Sequence, residues 1–351
     1  MSILFAIILF SFLIFIHELG HFVAAKLSGV QVNEFSMFMG PAIWKKQKGE
    51  TLYAIRCIPF GGYCAMEGED SDTDNPRSFQ KAAWWKRFII LAAGAAMNFI
   101  VGVLLVVCLY LPSEAFIVPE ISLVEPGSSM AGYVQEGDRI LEVDGDKVYT
   151  QSDFTMILTV NGGDVHDILV ERSGEKVLLN DLNMEKREFD NGDGTTSMRY
   201  GISFTIEEAD LLSTLKYSWD SVCSMVQSVG LSLKMLLTGK AGLQDMSGPV
   251  GIVQIMSETA EASPTALDAL LNMLYFGAFI AINLAIMNLL PIPALDGGRI
   301  VGLLITTAVE AVTHKKINPK YEGYLHGAGM ILLLGLMAVI LFKDIFTIFK
   351  G

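Results

Sequence analysis

A zinc-binding pattern, H-E-x-x-H, lies inside an apolar run that is long enough to cross a membrane. The run extends from Ile3 to Leu27, and the pattern occupies residues 17–21. Residues four apart share one face of a helix, so His17 and His21 can present two imidazoles to one zinc ion, with Glu18 as general base. Ionisable residues are costly in hydrocarbon and mark functional sites there. The pattern therefore predicts a transmembrane helix that carries part of a metal site, with a chance match in an ordinary helix as the alternative.

The composition indicates a polytopic membrane protein with a soluble insert. Of the 351 residues, 52% are hydrophobic, and the mean hydropathy is +0.45. The net charge is −13, and residues 112–271 alone hold 26 Asp+Glu against 10 Lys+Arg. An acidic insert of this kind argues against nucleic acid as a partner. The four cysteines form no C-x-x-C pair, so neither a disulfide framework nor a cysteine zinc site is expected.

Four segments have the length and hydropathy of membrane spans. The apolar run 300–312 is short and contains Glu310, which favours a re-entrant or buried helix over a fifth span. The predicted divisions are a first transmembrane helix (1–27), a cytoplasmic or re-entrant β-loop region (28–87), a second transmembrane helix (88–111), a compact inserted domain (115–207), an amphipathic juxtamembrane helix with an S-G-P-V segment (208–268), a third transmembrane helix with an L-D-G-G loop (269–299), a short apolar helix with a cytoplasmic loop (300–323), and a fourth transmembrane helix with the tail (324–351).

Basic residues predict the orientation. Lys and Arg concentrate in residues 28–87 and in the loop after the third span, which includes Lys315 and Lys316. Loops rich in Lys and Arg stay in the cytoplasm, so both termini and the acidic insert are expected outside; Lys343 and Lys350 point weakly the other way. His17 lies roughly 21 Å along its helix at about 1.5 Å per residue. The histidines are therefore expected in the cytoplasmic half of the membrane.

A third metal ligand is predicted at the end of the third span. Pro291 and Pro293 break the helix there, and Asp296 follows them at a depth similar to that of the histidines. A catalytic zinc takes three protein ligands and keeps one position open for water. A plain turn role for Asp296 in its D-G-G loop is the alternative. Asn288, Pro291 and Pro293 share this turn and are candidates to bind substrate or to support the ligands.

The β-loop region is expected to hold the substrate. Residues 51–58 are rich in β-forming side chains, and Val30–Phe38 is also extended in character, which predicts two short hairpins. Cleavage of a transmembrane helix requires unwinding, and the freed backbone groups need new partners, which an edge strand offers. Tyr53, Ala54 and Ile55 are the residues predicted to provide that edge. An amphipathic cytoplasmic loop is the alternative.

Small residues follow one face of the second span. Gly94, Asn98 and Gly102 lie four apart, a spacing that lets helices approach closely. Asn98 could also hydrogen-bond to a ligand histidine. Helix packing alone explains the pattern equally well.

The paired motifs resemble those of the site-2 protease family of intramembrane zinc proteases, and in particular the bacterial sigma-E-regulating group. The likeness covers nearly the whole chain. It rests on H-E-L-G-H, N-L-L-P-I-P-A-L-D-G-G at 288–298, P-F-G-G-Y at 59–63 and S-G-P-V at 247–250. The resemblance implies Zn²⁺ on His17, His21 and Asp296, Glu18 as base, and a membrane-re-entrant β-loop containing Gly61 and Gly62. The chain departs from it at Ala95, where relatives often have Pro, and at Arg299, where many have His.

The insert resembles a single PDZ domain. Residues 131–145 carry a G-D-x-I-x-x-V-D-G pattern, typical of a turn, a strand and a second turn, and such domains bind extended peptides. His166 within it has no partner motif and is expected at the surface. Apolar residues repeat every three or four positions from Leu211 to Leu236, which predicts an amphipathic helix on the outer membrane surface or under this domain. The predicted fold is a polytopic α-helical membrane protein with four transmembrane helices, a membrane-associated β-hairpin region and one extracytoplasmic PDZ-like α+β domain.

The predicted function is an intramembrane zinc endopeptidase of the bacterial cell membrane, which cleaves transmembrane segments of single-span proteins. The resemblance suggests a pre-trimmed anti-sigma factor or signal-peptide remnants as substrates. The rival interpretations are a metal transporter and an inactive membrane-anchored PDZ scaffold. A transporter tends to carry several polar sites and paired repeats, whereas this chain has one cluster and no repeat. Retention of Glu18 speaks against the scaffold.

Overall fold

The computed structural model describes residues 2–69, 73–190, 192, 194–242, 248–314 and 320–350. The chain forms two compact units. The membrane unit consists of Met1–Leu105 with Gly239–Gly351, and the insert unit consists of Val106–Thr238. In chain order, the elements are α1 (Ser2–Ser28), β1 (Val32–Lys48), β2 (Thr51–Met66), a 3₁₀ turn (Phe79–Lys81), α2 (Trp84–Tyr110), β3 (Ala115–Val124), β4 (Arg139–Val143), β5 (Asp146–Lys147), α3 (Gln151–Asn161), β6 (Val165–Arg172), β7 (Glu175–Asn183), β8 (Arg187–Asp190), β9 (Thr196–Arg199), β10 (Ile202–Glu208), α4 (Leu211–Leu237), α5 (Pro249–Ala262), α6 (Ala266–Asn288), α7 (Asp296–Thr313) and α8 (Lys320–Lys350).

Four of these helices are long and apolar enough to cross a membrane. They comprise Leu4–Ser28, Trp84–Tyr110, Ala266–Asn288 and Gly323–Asp344. Each coincides with a predicted span to within a few residues, so the expectation of a polytopic helical membrane protein is confirmed. The predicted short helix at 300–312 is part of α7, which begins earlier, at Asp296, and is not one of the four candidate spans.

Local chemistry accounts for where the later helices begin. The Thr265 side chain accepts a hydrogen bond from the Asp268 backbone and so caps α6. α5 starts with Pro249 directly after Gly248, because proline is favoured in the first helical turn, where its missing N–H is not needed. Ser247 of the S-G-P-V motif lies outside the described residues, as do Lys315 and Lys316.

The strands β1 and β2 pair in a register that places four segments side by side, with the central pairing of 34–37 and 52–55 parallel and the two outer pairings antiparallel. Residues 34–37 lie opposite residues 62–65 and also opposite residues 52–55, while residues 42–48 pair with 51–56. Ala54, for example, has Ser36 on one side and Lys45 on the other. The prediction that 51–58 is an edge strand is therefore wrong at Tyr53, Ala54 and Ile55, which have pairing partners on both sides.

The insert unit is a small α+β structure. Its main sheet has the order β10-β3-β4-β6-β7, with β5 paired to β4, and β8 and β9 form a separate hairpin. Buried side chains from this sheet, α3 and α4 form one core, which includes Ile140, Phe154, Ile168 and Leu182. The strands and helix agree with a PDZ-like fold, which stays a proposal.

Two expectations for the insert unit are resolved by its packing. α4 buries Leu231 in the core of the insert unit, which supports the predicted packing under the compact domain. His166 is only 3% exposed, so the prediction of a surface histidine is wrong. Its Nδ1 lies 2.7 Å from Asp144 Oδ2 and its Nε2 lies 3.1 Å from the carbonyl oxygen of Gly163. Gly163 is three residues away, but Asp144 is 22 positions away, and no local sequence motif predicts that contact.

Candidate active site

Three predicted ligand side chains converge in the membrane unit. His17 and His21 lie one turn apart on α1, with their Nε2 atoms 3.2 Å from each other. Asp296 Oδ2 lies 3.1 Å from Nε2 of His17 and 3.3 Å from Nε2 of His21. The three ligand atoms all lie within 4.8 Å of one another, an arrangement that could hold one metal ion.

A tightly folded turn carries Asp296 to the histidines. α6 ends at Asn288 and α7 begins at Asp296, so the aspartate stands at a helix N-terminus. A Cβ on Gly297 would overlap the backbone of Leu289, and a Cβ on Gly298 would lie 2.8 Å from the carbonyl carbon of Ile292. The segment between α6 and α7 folds back onto the first turn of α7 and leaves no space for a Cβ at residue 297 or 298. Glycine is therefore required at both positions.

A second glycine contact brings α2 against the ligands. A Cβ on Gly94 would overlap His21 Nε2 and would lie 2.7 Å from His17 Cε1. One and two turns further along the chain, Asn98 is buried, and a Cβ on Gly102 would lie 2.6 Å from Ile282 Cγ1 of α6. The predicted small face of α2 is thus confirmed as a packing surface, and it contacts α1 at Gly94 and α6 at Gly102.

The backbone of α2 also orients one of the predicted ligands. His21 Nδ1 donates a hydrogen bond to the Ile90 carbonyl oxygen at 2.8 Å, and the imidazole is only 7% exposed. A carbonyl can only accept, so this bond places the proton on Nδ1 and leaves the Nε2 lone pair facing Asp296. Sequence reasoning missed Ile90, because a main-chain acceptor has no residue signature.

Other buried polar atoms at the cluster have no hydrogen-bond partner among the described residues. They are His17 Nδ1, Asp296 Oδ2 and both amide atoms of Asn98. Unpaired groups of this kind are costly inside a protein and uncommon there. A lone pair of His21 and a carboxylate oxygen facing each other at close range also repel, so the cluster suits a bound cation.

Comparison with known proteins agrees with this geometry. Residues 5–336 match peptidase family M50. A protein of Clostridium perfringens that carries the name zinc metalloprotease is 36% identical over 98% of both chains. A protein of the same description from Fusobacterium nucleatum is 33% identical over the full length of both. The regulator of sigma-W protease RasP of Bacillus subtilis is 28% identical over 98% of both chains.

This chain belongs to peptidase family M50. It is a site-2-type intramembrane metalloprotease, and its cofactor is Zn²⁺. The donor set in the membrane unit fits that ion, since two imidazole nitrogens and one carboxylate oxygen leave a fourth position open, as in other catalytic zinc sites. The unpaired Asp296 Oδ2 and the lone pair of His21 are the features that a zinc ion would satisfy.

Glu18 of this M50 peptidase lies beside the β-sheet. Its Cγ would be 3.5 Å from a Cβ on Gly62. Residues 62–65 pair with residues 34–37 on one side, and no described residue pairs with their other side. An edge strand is therefore present next to Glu18, but it is formed by residues 62–65, where the predicted Gly62 lies, rather than by residues 53–55.

The turn before Asp296 has a partner that the sequence did not reveal. The Ala294 backbone N–H donates to Nδ1 of His326 on α8 at 3.0 Å. Pro293 also contacts α8, because a Cβ on Gly329 would lie 2.5 Å from the Pro293 Cβ. Asn288 closes α6 at the start of the same turn, and Pro291 is exposed.

Arg299, which departs from the family pattern, also has a structural role. It forms an ion pair with Glu69, which joins the first turn of α7 to the segment after β2. Both side chains line a cavity of about 360 Å³, together with Ala294 and His326. The arginine therefore ties the ligand turn to the segment that follows the edge strand.

Proposed function

We propose that His17, His21 and Asp296 hold the zinc ion and that Glu18 is the general base in hydrolysis of a peptide bond within the transmembrane segment of a single-span protein. The observation that carries this proposal is the convergence of two Nε2 atoms and one carboxylate oxygen within 4.8 Å. Zn²⁺ at this position supplies a Lewis acid that activates water and polarises a carbonyl group. The other steps are assigned to side chains of this protein.

Glu18 is proposed to transfer the proton from the attacking water to the leaving group. Its carboxylate takes a proton from the attacking water and delivers it to the leaving nitrogen, so that the amide departs as an amine. His21 stays in the tautomer set by the Ile90 carbonyl throughout. Asn98 is proposed to accept the Nδ1–H of His17 through one water, because both groups are buried and unpartnered and Asn98 lies one helical turn after Gly94, which packs against His17.

The substrate is proposed to bind as an added strand. Residues 62–65 offer unpaired backbone groups beside Glu18, and an unwound transmembrane segment has N–H and C=O groups that need partners. Gly61 has a φ of +81°, a conformation that favours glycine, and it starts this edge segment. Asn288, Pro291 and Pro293 belong to the turn that leads to Asp296 and are proposed to support the substrate there.

The cellular setting follows from the charge pattern and from the relatives. We propose that both termini and the insert unit lie outside the cytoplasm and that the zinc site lies in the cytoplasmic half of the bacterial cell membrane. One relative is named a regulator of sigma-W protease, which supports a pre-trimmed anti-sigma factor as substrate, with signal-peptide remnants as the other substrate class. The PDZ-like insert unit is proposed to bind an extended peptide from the substrate or a partner.

The test is the substitution Glu18→Gln, which keeps the shape of the side chain and removes the carboxylate. We expect cleavage of a single-span substrate in detergent to fall by about 10²–10⁴-fold, the usual contribution of a general base, while bound zinc stays at one ion per chain. Asp296→Ala provides the complementary result, with loss of zinc as well as loss of cleavage. Substantial turnover by Glu18→Gln would exclude Glu18 as the base, and full zinc occupancy in Asp296→Ala would exclude that carboxylate as a ligand.

A further inference from the structure

The turn that carries Asp296 contains a backbone conformation that needs support. Ala294, two residues before the aspartate, has a φ of +81°. Left-handed backbone is unfavourable for a residue with a Cβ, and such conformations persist where the surroundings hold them. The position of the Asp296 carboxylate therefore depends on whatever fixes Ala294.

α8 contacts the turn at two adjacent residues, with His326 at Ala294 and Gly329 at Pro293. His326 Nδ1 accepts the Ala294 N–H at 3.0 Å. Three residues later on the same helix face, Gly329 lies so close to Pro293 that a Cβ there would be 2.6 Å from the Pro293 carbonyl oxygen. The proline and the alanine are thus held by one surface of α8, on the side of the turn that precedes the ligand.

The hydrogen bond also defines the chemical state of the histidine. A backbone N–H can only donate, so Nδ1 must be an acceptor and the proton of the neutral imidazole must lie on Nε2. The contact with the Ala294 N–H requires a hydrogen-bond acceptor at the position of Nδ1. A side chain of similar volume that lacks such an acceptor does not replace histidine here.

We propose that His326 is a positioning residue for the metal site. By accepting the Ala294 N–H, it holds the left-handed turn and so fixes the Asp296 carboxylate at the distance that zinc requires. Groups that orient metal ligands typically change metal affinity by about 10–100-fold when they are removed. This inference rests on the proposed ligand role of Asp296.

Three substitutions of His326 distinguish a role as hydrogen-bond acceptor from a role in filling space. In His326→Asn, the amide Oδ1 stands where Nδ1 stood, although the side chain is smaller. In His326→Gln, the volume is closer to that of histidine, but the amide oxygen lies one bond further out. His326→Ala removes both the acceptor atom and the volume of the side chain. His314→Asn is the matched control, because it replaces an exposed histidine of the same unit at a φ of +54°, which asparagine tolerates.

The first measurement is hydrogen exchange of residues 289–298 in the metal-free full chain. We expect faster exchange of the Ala294 amide in His326→Ala and His326→Gln, and wild-type exchange in His326→Asn and His314→Asn. The second measurement is zinc affinity, determined by competition with a chelator. We expect the affinity to fall about tenfold in His326→Ala and His326→Gln and to match wild type in His326→Asn. The visible spectrum of the Co²⁺-substituted protein should change in the same two variants.

Equal effects of His326→Asn and His326→Ala would overturn the proposal and leave a packing role. Unchanged exchange and unchanged zinc affinity in all three variants would overturn it as well. A failure of the proposed function looks different, because then Asp296→Ala keeps its zinc whatever the His326 variants do.

Discussion

Asp138 and Asp153 of the insert unit and Asp296 of the membrane unit differ in how their carboxylates are partnered. In the insert unit, Asp138 is 1% exposed and accepts two hydrogen bonds from Arg172, at 2.8 and 2.7 Å. Asp153 is fully buried and accepts the backbone N–H groups of Tyr149 and Thr150 at the start of α3. In the membrane unit, Asp296 Oδ2 and the Asn98 amide have no hydrogen-bond partner among the described residues.

The difference separates groups that stabilise the fold from groups that serve a ligand. A buried polar atom without a partner costs about 1–3 kcal/mol, and a bound group at the same place can remove that cost. The paired aspartates of the insert unit need nothing further. The unpaired atoms around His17 and His21 are the ones that a metal ion, a water or a substrate would satisfy.

The largest predicted effect is the difference in stability between substitution of Asp138 and substitution of Asp296. Asp138→Ala should weaken the insert unit by about 3 kcal/mol, because it leaves Arg172 without its buried partner. Asp296→Ala should lower the stability of the metal-free protein by much less, since Asp296 Oδ2 meets only the Nε2 atoms of His17 and His21 there, at 3.1 and 3.3 Å. Hydrogen exchange of β4 and β6 measures the first effect, and the melting temperature of the metal-free chain measures the second.

The zinc-loaded protein provides the control for this pair. With zinc added, wild type should gain thermal stability and Asp296→Ala should gain much less, because a ligand that binds only the folded state stabilises it. Clear destabilisation of metal-free Asp296→Ala would show that the carboxylate has a structural partner, and the contrast between the units would fail.

A second prediction concerns the backbone groups of residues 62–65. Successive N–H groups of a strand point to opposite sides, and proline removes one of them. We therefore expect proline substitutions at Tyr63, Cys64 and Ala65 to have alternating effects on substrate cleavage. Cleavage should fall by about tenfold or more where the lost N–H faces the open side of the strand. Zinc should be retained in each variant.

Proline at Tyr53, Ala54 or Ile55 is the matched comparison, because those residues pair on both sides. There the sheet itself should be damaged, and zinc binding should fall together with cleavage. A uniform effect along residues 63–65, or loss of zinc at each of them, would argue that the open edge does not receive the substrate.

The smallest expected effect belongs to Asn98. Asn98→Leu should lower zinc affinity about tenfold, because His17 would lose its acceptor. The same change should keep or raise the stability of the metal-free protein, since an unpartnered amide is replaced by an apolar group of similar shape. Asn283→Leu, at a half-buried position on α6, is the control and should leave zinc affinity unchanged.

Features that depend on spacing along the chain could be predicted from the sequence. The two histidines are four apart, so any helix places them on one face. The four spans follow from length and hydropathy, and Asp296 follows from the depth at which its span ends. These inferences need no knowledge of which strand or turn lies beside which.

Features that depend on pairing between distant segments could not be predicted in the same way. The β-forming character of residues 51–58 predicts a strand, but only the register shows that residues 34–37 flank it and leave residues 62–65 at the edge. His166 lies 22 positions from Asp144, and His326 lies 32 positions from Ala294. Such partners depend on how the chain folds back on itself, which no local pattern records.

The separation of the ligands along the chain has a consequence for biosynthesis. His17 and His21 leave the ribosome early, whereas Asp296 is added 275 residues after His21. At about 5–20 residues per second, translation needs roughly 15–55 s to cover that distance. During that time the nascent chain holds only two of its three proposed ligands, so, with Asp296 as the third ligand, we expect the protease to be inactive until its synthesis is nearly complete.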